Sequence, residues 1–111
     1  MSAEAHLNDL RLLAGIEDES QDDLLRLIIR LTESRLQALL ESTEVPEILG
    51  YIVLEVSAAR YNRIGSEGLS SHSQDGESLN FVDSDFDRFA ADIETWKIGQ
   101  KTTAKWQVKF L

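Results

Sequence analysis

The sequence predicts a mainly α-helical domain, a small bundle of about four helices, and three observations predict it. Apolar residues recur at steps of three and four in four separate stretches, the period of a helix face. Gly15, Gly65 and Gly99 follow three of these stretches, and the single proline, Pro46, opens another, the usual places for both residues. The chain has 111 residues, 42% of them apolar, which suffices for one core that buries roughly two-thirds of the unfolded surface.

The first helix is expected over residues 3–14, with Leu7, Leu10, Leu13 and Ala14 on one face, Gly15 as its terminator and Ile16 sealing the joint. Its His6 is read as a solvated surface residue. The second helix opens at Ser20-Gln21-Asp22-Asp23, where a serine hydroxyl can cap an orphan amide and carboxylates meet the positive end of the helix dipole. Leu25, Ile28, Ile29, Thr32, Leu36, Leu39 and Leu40 form its stripe, and Leu24, Leu27 and Leu31 widen it. So wide an apolar face must be covered on more than one side.

The third helix starts at Pro46 and carries Ile48, Leu49, Ile52, Val53, Val56 and Ala59 into Tyr61, ending at Gly65. In the fourth, Ser84 caps and Asp87 completes a capping box, Phe86, Phe89, Ala90, Ile93 and Trp96 set the period, and Gly99 stops it. Residues 65–83 hold three glycines and five serines and read as a long flexible loop, a rarity in a small domain and a mark of function or of an ordering partner. A short β element is expected at Leu79–Val82, at the C-terminal stretch 104–110, or at both. In the latter, Ala104, Trp106, Val108 and Phe110 alternate with Lys105, Gln107 and Lys109. An uncovered amphipathic strand needs a partner, either Leu79–Val82 or a strand of another chain. The expected organisation is a helical domain, 1–98, followed by a basic amphipathic segment, 99–111.

The charge is polarised. Seven arginines against all 20 carboxylates leave −13 over residues 1–94, while Lys97, Lys101, Lys105 and Lys109 give the remainder +4. Such a body repels nucleic acid, which disfavours sequence-specific DNA binding. The absence of cysteine excludes a disulfide framework, thiol chemistry and cysteine-based zinc sites. No run approaches the ~18 apolar residues of a membrane span, and the N-terminus lacks the pattern of a signal peptide. A soluble intracellular protein without metal or cofactor is expected.

Two chemical motifs fail on inspection. Asp83, Asp85, Asp87 and Glu94 match the acidic spacing of a calcium loop, but Arg88 occupies the position that requires glycine. His72, near Asp75 and Glu77, has no nucleophile beside it in a strand-to-helix elbow, so a hydrolase is disfavoured. Arg60-Tyr61-Asn62-Arg63 is the stronger candidate, because arginine and tyrosine are the residues that most often anchor interfaces.

The stretch Tyr61-Asn62-Arg63-Ile64-Gly65-Ser66-Glu67-Gly68-Leu69-Ser70-Ser71, followed by Asp75-Gly76-Glu77-Ser78, resembles the head–tail connector (adaptor) proteins of long-tailed bacteriophages, and the general resemblance covers about residues 5–98. It implies a non-enzymatic virion protein, made in the host cytoplasm, that assembles into a ring of about twelve subunits. The ring would sit beneath the portal protein and join the DNA-filled head to the stopper or tail-completion protein. DNA would pass through without being specifically bound, and no membrane is involved. The resemblance implies an interface at Arg60, Tyr61, Asn62, Arg63, Gly65, Glu67 and Gly68; the period of the C-terminal segment adds Trp106, Val108 and Phe110. A second reading is an acidic regulatory module of a mobile element that mimics DNA, to be distinguished by its remaining a monomer or dimer that binds a basic enzyme.

Overall fold

The structure, a computed structural model, describes residues 3–66 and 82–109, with side chains placed over 5–64 and 82–101. Four α-helices make up the described chain: α1 (Ala3–Ala14), α2 (Asp22–Leu40), α3 (Gly50–Ser66) and α4 (Ala90–Lys109). A 3-10 turn, Glu47–Leu49, leads into α3, and a second, Asp83–Phe89, leads into α4. The helices α1, α2 and α3 pack on one another, whereas the backbone of α4 approaches α2 and the Asp83–Phe89 turn.

The core follows the apolar stripes. Leu7 and Leu10 of α1 meet Leu25, Ile29, Leu36 and Leu40 of α2 and Ile52, Val53 and Val56 of α3. Phe86, Phe89 and Ile93 close the cluster from the C-terminal side, with Ile16, Leu39, Tyr61 and Trp96 packed against it. Burying each Leu, Ile or Phe contributes about 1.5–3 kcal/mol against exposure, so the three-helix contact dominates the stability of the body.

Both connections out of α1 and α2 end in the same left-handed device. Gly15 adopts φ 71°, its N–H donating to Leu12 O at 3.3 Å while Ile16 N–H donates to Arg11 O at 2.9 Å. Glu41 repeats this at the end of α2 with φ 57°, its N–H reaching Ala38 O at 3.2 Å and that of Ser42 reaching Gln37 O at 3.0 Å. These are Schellman closures, which satisfy the last carbonyls of a helix.

Several expectations are corrected. The C-terminal stretch expected as a strand over 104–110 is helical over its described part, 104–109: α4 runs through Gly99 to Lys109, and no strand occurs among the described residues. Alternation of apolar and basic residues over so few positions does not outweigh propagation from a helix already anchored by Ile93 and Trp96. Gly99 lies in open space with no atom within 4 Å of its absent Cβ, so the helix tolerates it at a cost of about 1 kcal/mol. Gly65 likewise stays inside α3. The loop expected over 65–83 is helical at its first two residues and turns from Asp83; residues 67–81, including His72 and Leu79–Phe81, lie outside the described residues. Val82 is extended, at φ −117° and ψ 155°.

The capping assignments also shift. Gln21, not Ser20, precedes α2, and the Ser20 hydroxyl donates to Asp18 Oδ1 at 2.8 Å. Ser84 and Asp87 form no capping box, because Val82 is the capping position and the first turn is a 3-10 turn. His6 is buried, 2% exposed, with Nδ1 3.3 Å from Glu33 Oε2. Its place beside Leu7 and one turn before Leu10 puts it on the face of α1 that the other helices cover. Leu13 and Ile48, expected inward, are 56% and 74% exposed.

Candidate functional site

The end of α3 and the start of the Asp83–Phe89 turn are joined by arginines. On α3, Val53, Val56, Arg60 and Ile64 share one buried face, so Arg60 enters the interior in register with aliphatic residues and is 2% exposed. A buried guanidinium must be paired and hydrogen-bonded to persist. Its Nε donates to Asp85 Oδ2 at 2.8 Å, Nη1 to the Thr32 hydroxyl at 3.1 Å and Nη2 to Val82 O at 3.3 Å. The guanidinium carbon also lies 5.4 Å from the centroid of the Phe86 ring, within range of a cation–π attraction.

Arg63, one turn further along α3, donates to the same carboxylate from the other side, Nη1 to Oδ1 at 2.9 Å and Nη2 to Oδ2 at 3.1 Å. Asp85 thus accepts from two guanidiniums. The hydrogen bonds from Arg63, aided by those from Arg60, hold its carboxyl below the usual aspartate range against the opposing effect of burial. Arg35 of α2 adds a bidentate pair to Asp83, at 2.6 and 2.5 Å. Two helices therefore grip the chain just after the stretch 67–81. The other end of that stretch emerges from α3 three residues beyond Arg63.

The remaining candidates are distributed differently. Tyr61 is half-buried and packs against the core, Asn62 is exposed, and Gly65 lies within α3. Trp106 and Val108 belong to the backbone of α4, while Glu67, Gly68 and Phe110 lie outside the described residues. The stretch from Asp83 to Glu94 is not arranged as a calcium loop: Asp83 and Asp85 are paired with arginines, and among the described residues no group of three or more acidic or imidazole side chains is placed to hold a metal ion.

Sequence reasoning missed Asp85, Asp83, Arg35 and Thr32 as partners of this junction. A signal existed in Thr32, the polar member of an otherwise aliphatic stripe, and in Arg60, which falls on the apolar period of α3. A buried arginine and a buried hydroxyl on neighbouring helices invite one another.

Beyond the junction, α4 runs beside α2. Lys97 donates to Glu41 Oε2 at 3.0 Å, and Leu40, Ser42, Gln100 and Lys101 line the hollow next to that pair. The helix α2 ends there, at Leu40, while α4 continues to Lys109. No described helix is long and apolar enough to cross a membrane.

Searches against curated proteins and against solved structures gave no match. The model of the phage gp6-like head–tail connector proteins matches residues 4–97, from the first turn of α1 to the lysine that ties α4 to α2, and with most of the chain matched the protein belongs to that family.

Proposed function

We propose that this protein is the adaptor of a head–tail junction, a ring of about twelve identical subunits that docks beneath the portal and receives the stopper or tail-completion protein. The observation that supports this most strongly is the family match over residues 4–97, which spans the whole helical body. It acts by surface complementarity, needs no cofactor, and has its place in the virion.

The physical features agree with that role. A body carrying −13 over residues 1–94 gives a conduit little to bind passing phosphates. The interface we assign comprises Tyr61, Asn62 and Arg63 with Gly65, Glu67 and Gly68, and Arg60 supports it from inside the chain. The helical domain of residues 1–98 forms the ring, and the basic segment 99–111, with Trp106, Val108 and Phe110, docks.

Native mass measurement and negative-stain imaging across a range of concentrations, with and without the cognate portal protein, test the assignment. Rings, or multimers that require the portal, are the expected result. A strict monomer that ignores the portal overturns the adaptor reading and favours the acidic regulatory module. Truncation after Gly99 is expected to leave the helical content of residues 1–98 intact while abolishing docking.

A further inference from the structure

A pocket of about 270 Å³ opens where the start of α1, the second half of α2 and the loop before α3 meet. His6 lines it from α1, Glu33 and Gln37 from α2, and Glu44, Val45 and Pro46 from the loop. That loop is held in shape by the Ser42 hydroxyl, which donates to Glu44 O at 2.9 Å and accepts from Glu44 N–H at 3.3 Å.

The polar groups of the pocket lack partners. His6 is 2% exposed, and neither ring nitrogen makes a hydrogen bond, for Nδ1 lies 3.3 Å from Glu33 Oε2 but out of line for one. Buried polar atoms are ordinarily bonded. The negative charge beside it is also unanswered. Among the described residues the imidazole is the only ion-pair partner of Glu33, Glu44 has none, and no lysine or arginine lines the pocket. Arg30, one turn before Glu33 on α2, is exposed and pairs with neither carboxylate.

Such a site suits a cation that brings several donors. Among the described residues no three acidic or imidazole groups converge to hold a metal ion. The volume falls below the roughly 300–1,000 Å³ of a cofactor site, a size for one long side chain. A guanidinium is planar, always charged, more weakly hydrated than an ammonium, and carries five N–H donors to share between two carboxylates and an amide oxygen. Val45 and Pro46 offer its methylene stem an apolar surface.

A second copy is a poor source of that arginine. Of the seven arginines, Arg11, Arg26, Arg35, Arg60, Arg63 and Arg88 are held by carboxylates of their own chain. Arg30 shares a face of α2 with Glu33 and Gln37, so two copies exchanging it would meet in a two-fold contact, which closes a dimer and no ring.

We propose that this pocket receives one arginine side chain of the protein that the ring takes on its tail side, with Glu33 and Glu44 gripping the guanidinium. The portal contact is assigned to residues 99–111, no described residue of which lines the pocket. The arginine site stands on the geometry, and its occupant rests on the adaptor reading.

The site is tested on the purified protein with N-acetyl-arginine methylamide as the probe, followed by magnetic resonance of the His6 ring. The chain has two histidines, so His72→Gln leaves only the His6 signals. These should shift to saturation with the probe. Affinity should fall at least about tenfold for the lysine analogue and in Glu33→Gln, and likewise in Glu44→Gln, whose exposed position keeps the fold out of question. Arg30→Gln should leave it unchanged. Signals that ignore the probe, or that answer both analogues equally, overturn the arginine site.

The occupant is tested by capture of the cognate stopper or tail-completion protein on rings assembled with the portal. Glu33→Gln with Glu44→Gln should weaken capture at least about tenfold while portal docking persists. Unchanged capture, or a loss that falls on portal binding instead, overturns the tail-side occupant. A protein that binds the probe yet forms no multimer, alone or on the portal, removes the adaptor reading and keeps the arginine site.

Discussion

Asp85 illustrates how a single side chain holds two segments distant in sequence. It lies between Arg60 and Arg63, with its side chain about 10% exposed. Removing one partner of a pair this buried leaves an uncompensated charge, so Asp85→Ala should cost about 3–5 kcal/mol in urea unfolding. Arg60→Ala should cost a similar amount, and the double variant less than the two together, with a coupling of about 0.5–3 kcal/mol. The pH dependence has a definite sign. The folded-state pKa of Asp85 is depressed, so its contribution is present above the ordinary aspartate range and is lost as pH falls through the lowered value. Asp85→Asn should therefore flatten the acid limb of the stability profile relative to the parent. Tyr51 behaves in the opposite way. Its hydroxyl donates to Asp92 Oδ2 at 2.5 Å, and that bond, with burial, pushes its pKa up to about 12. Its contribution is complete below about pH 10 and disappears as pH rises through about 12. Ultraviolet titration should show this late phenolate transition, and Tyr51→Phe should abolish it.

At the scale of elements, α1 and α2 close with the same motif but with different residues at the left-handed position, glycine at 15 and glutamate at 41. Gly15→Ala should destabilise by about 1 kcal/mol through backbone strain, since no neighbouring atom obstructs the added methyl. Glu41→Gly should move the other way and raise Tm by about 2–4 °C, because the Glu41 carboxylate of the Lys97 pair it removes is 73% exposed and such a pair contributes little. Thermal scans of both variants check the pair. The sequence makes α1, α2 and α3 legible because each presents a full apolar stripe, but only α1 stops at the glycine that marks its end. The stripe of α2 is buried as its spacing predicts, with Leu25, Ile28, Ile29, Thr32, Leu36 and Leu40 inside. What escaped were features fixed by contacts between elements. Gly99 reads locally as a terminator, yet α4 continues through it, since a helix anchored by Ile93 and Trp96 absorbs one glycine. His6 reads as polar, yet the packing of α1 on α2 places it inside. At the junction, Arg60 and Arg63 stand out in the sequence, but their partner Asp85 lies 22 residues beyond Arg63 and has no local mark.

For the whole molecule, the division between a packed body and an overrunning helix governs what assembly can change. The longest dimension is 58 Å against 25 and 19 Å across, and α4 is about 30 Å long by its residue count. Packing against α2 accounts for its first half. A helix end of some eight residues is marginal in water on its own propensity, so amide exchange should be slow at Ile93 to Lys97 and faster after Lys101 in dilute protein. If the segment 99–111 docks as proposed, adding the cognate portal protein should extend protection to residues 102–109 while that of the core positions of α1 to α3 changes little, a contrast that exchange mass spectrometry reads directly.

The arginine junction also determines where tension goes. A pull transmitted along the chain from the 67–81 side meets Asp83 and Asp85 before it reaches Phe86. There it divides between Arg35, rooted in the middle of α2, and Arg60 with Arg63, rooted near the end of α3. These linkages act in parallel, so each bears a share and none must rupture first for the others to engage. The strain is delivered to the two helices most deeply embedded in the core, and α4 is left unloaded. A chain built this way can be tugged at one surface without loosening the packing at another.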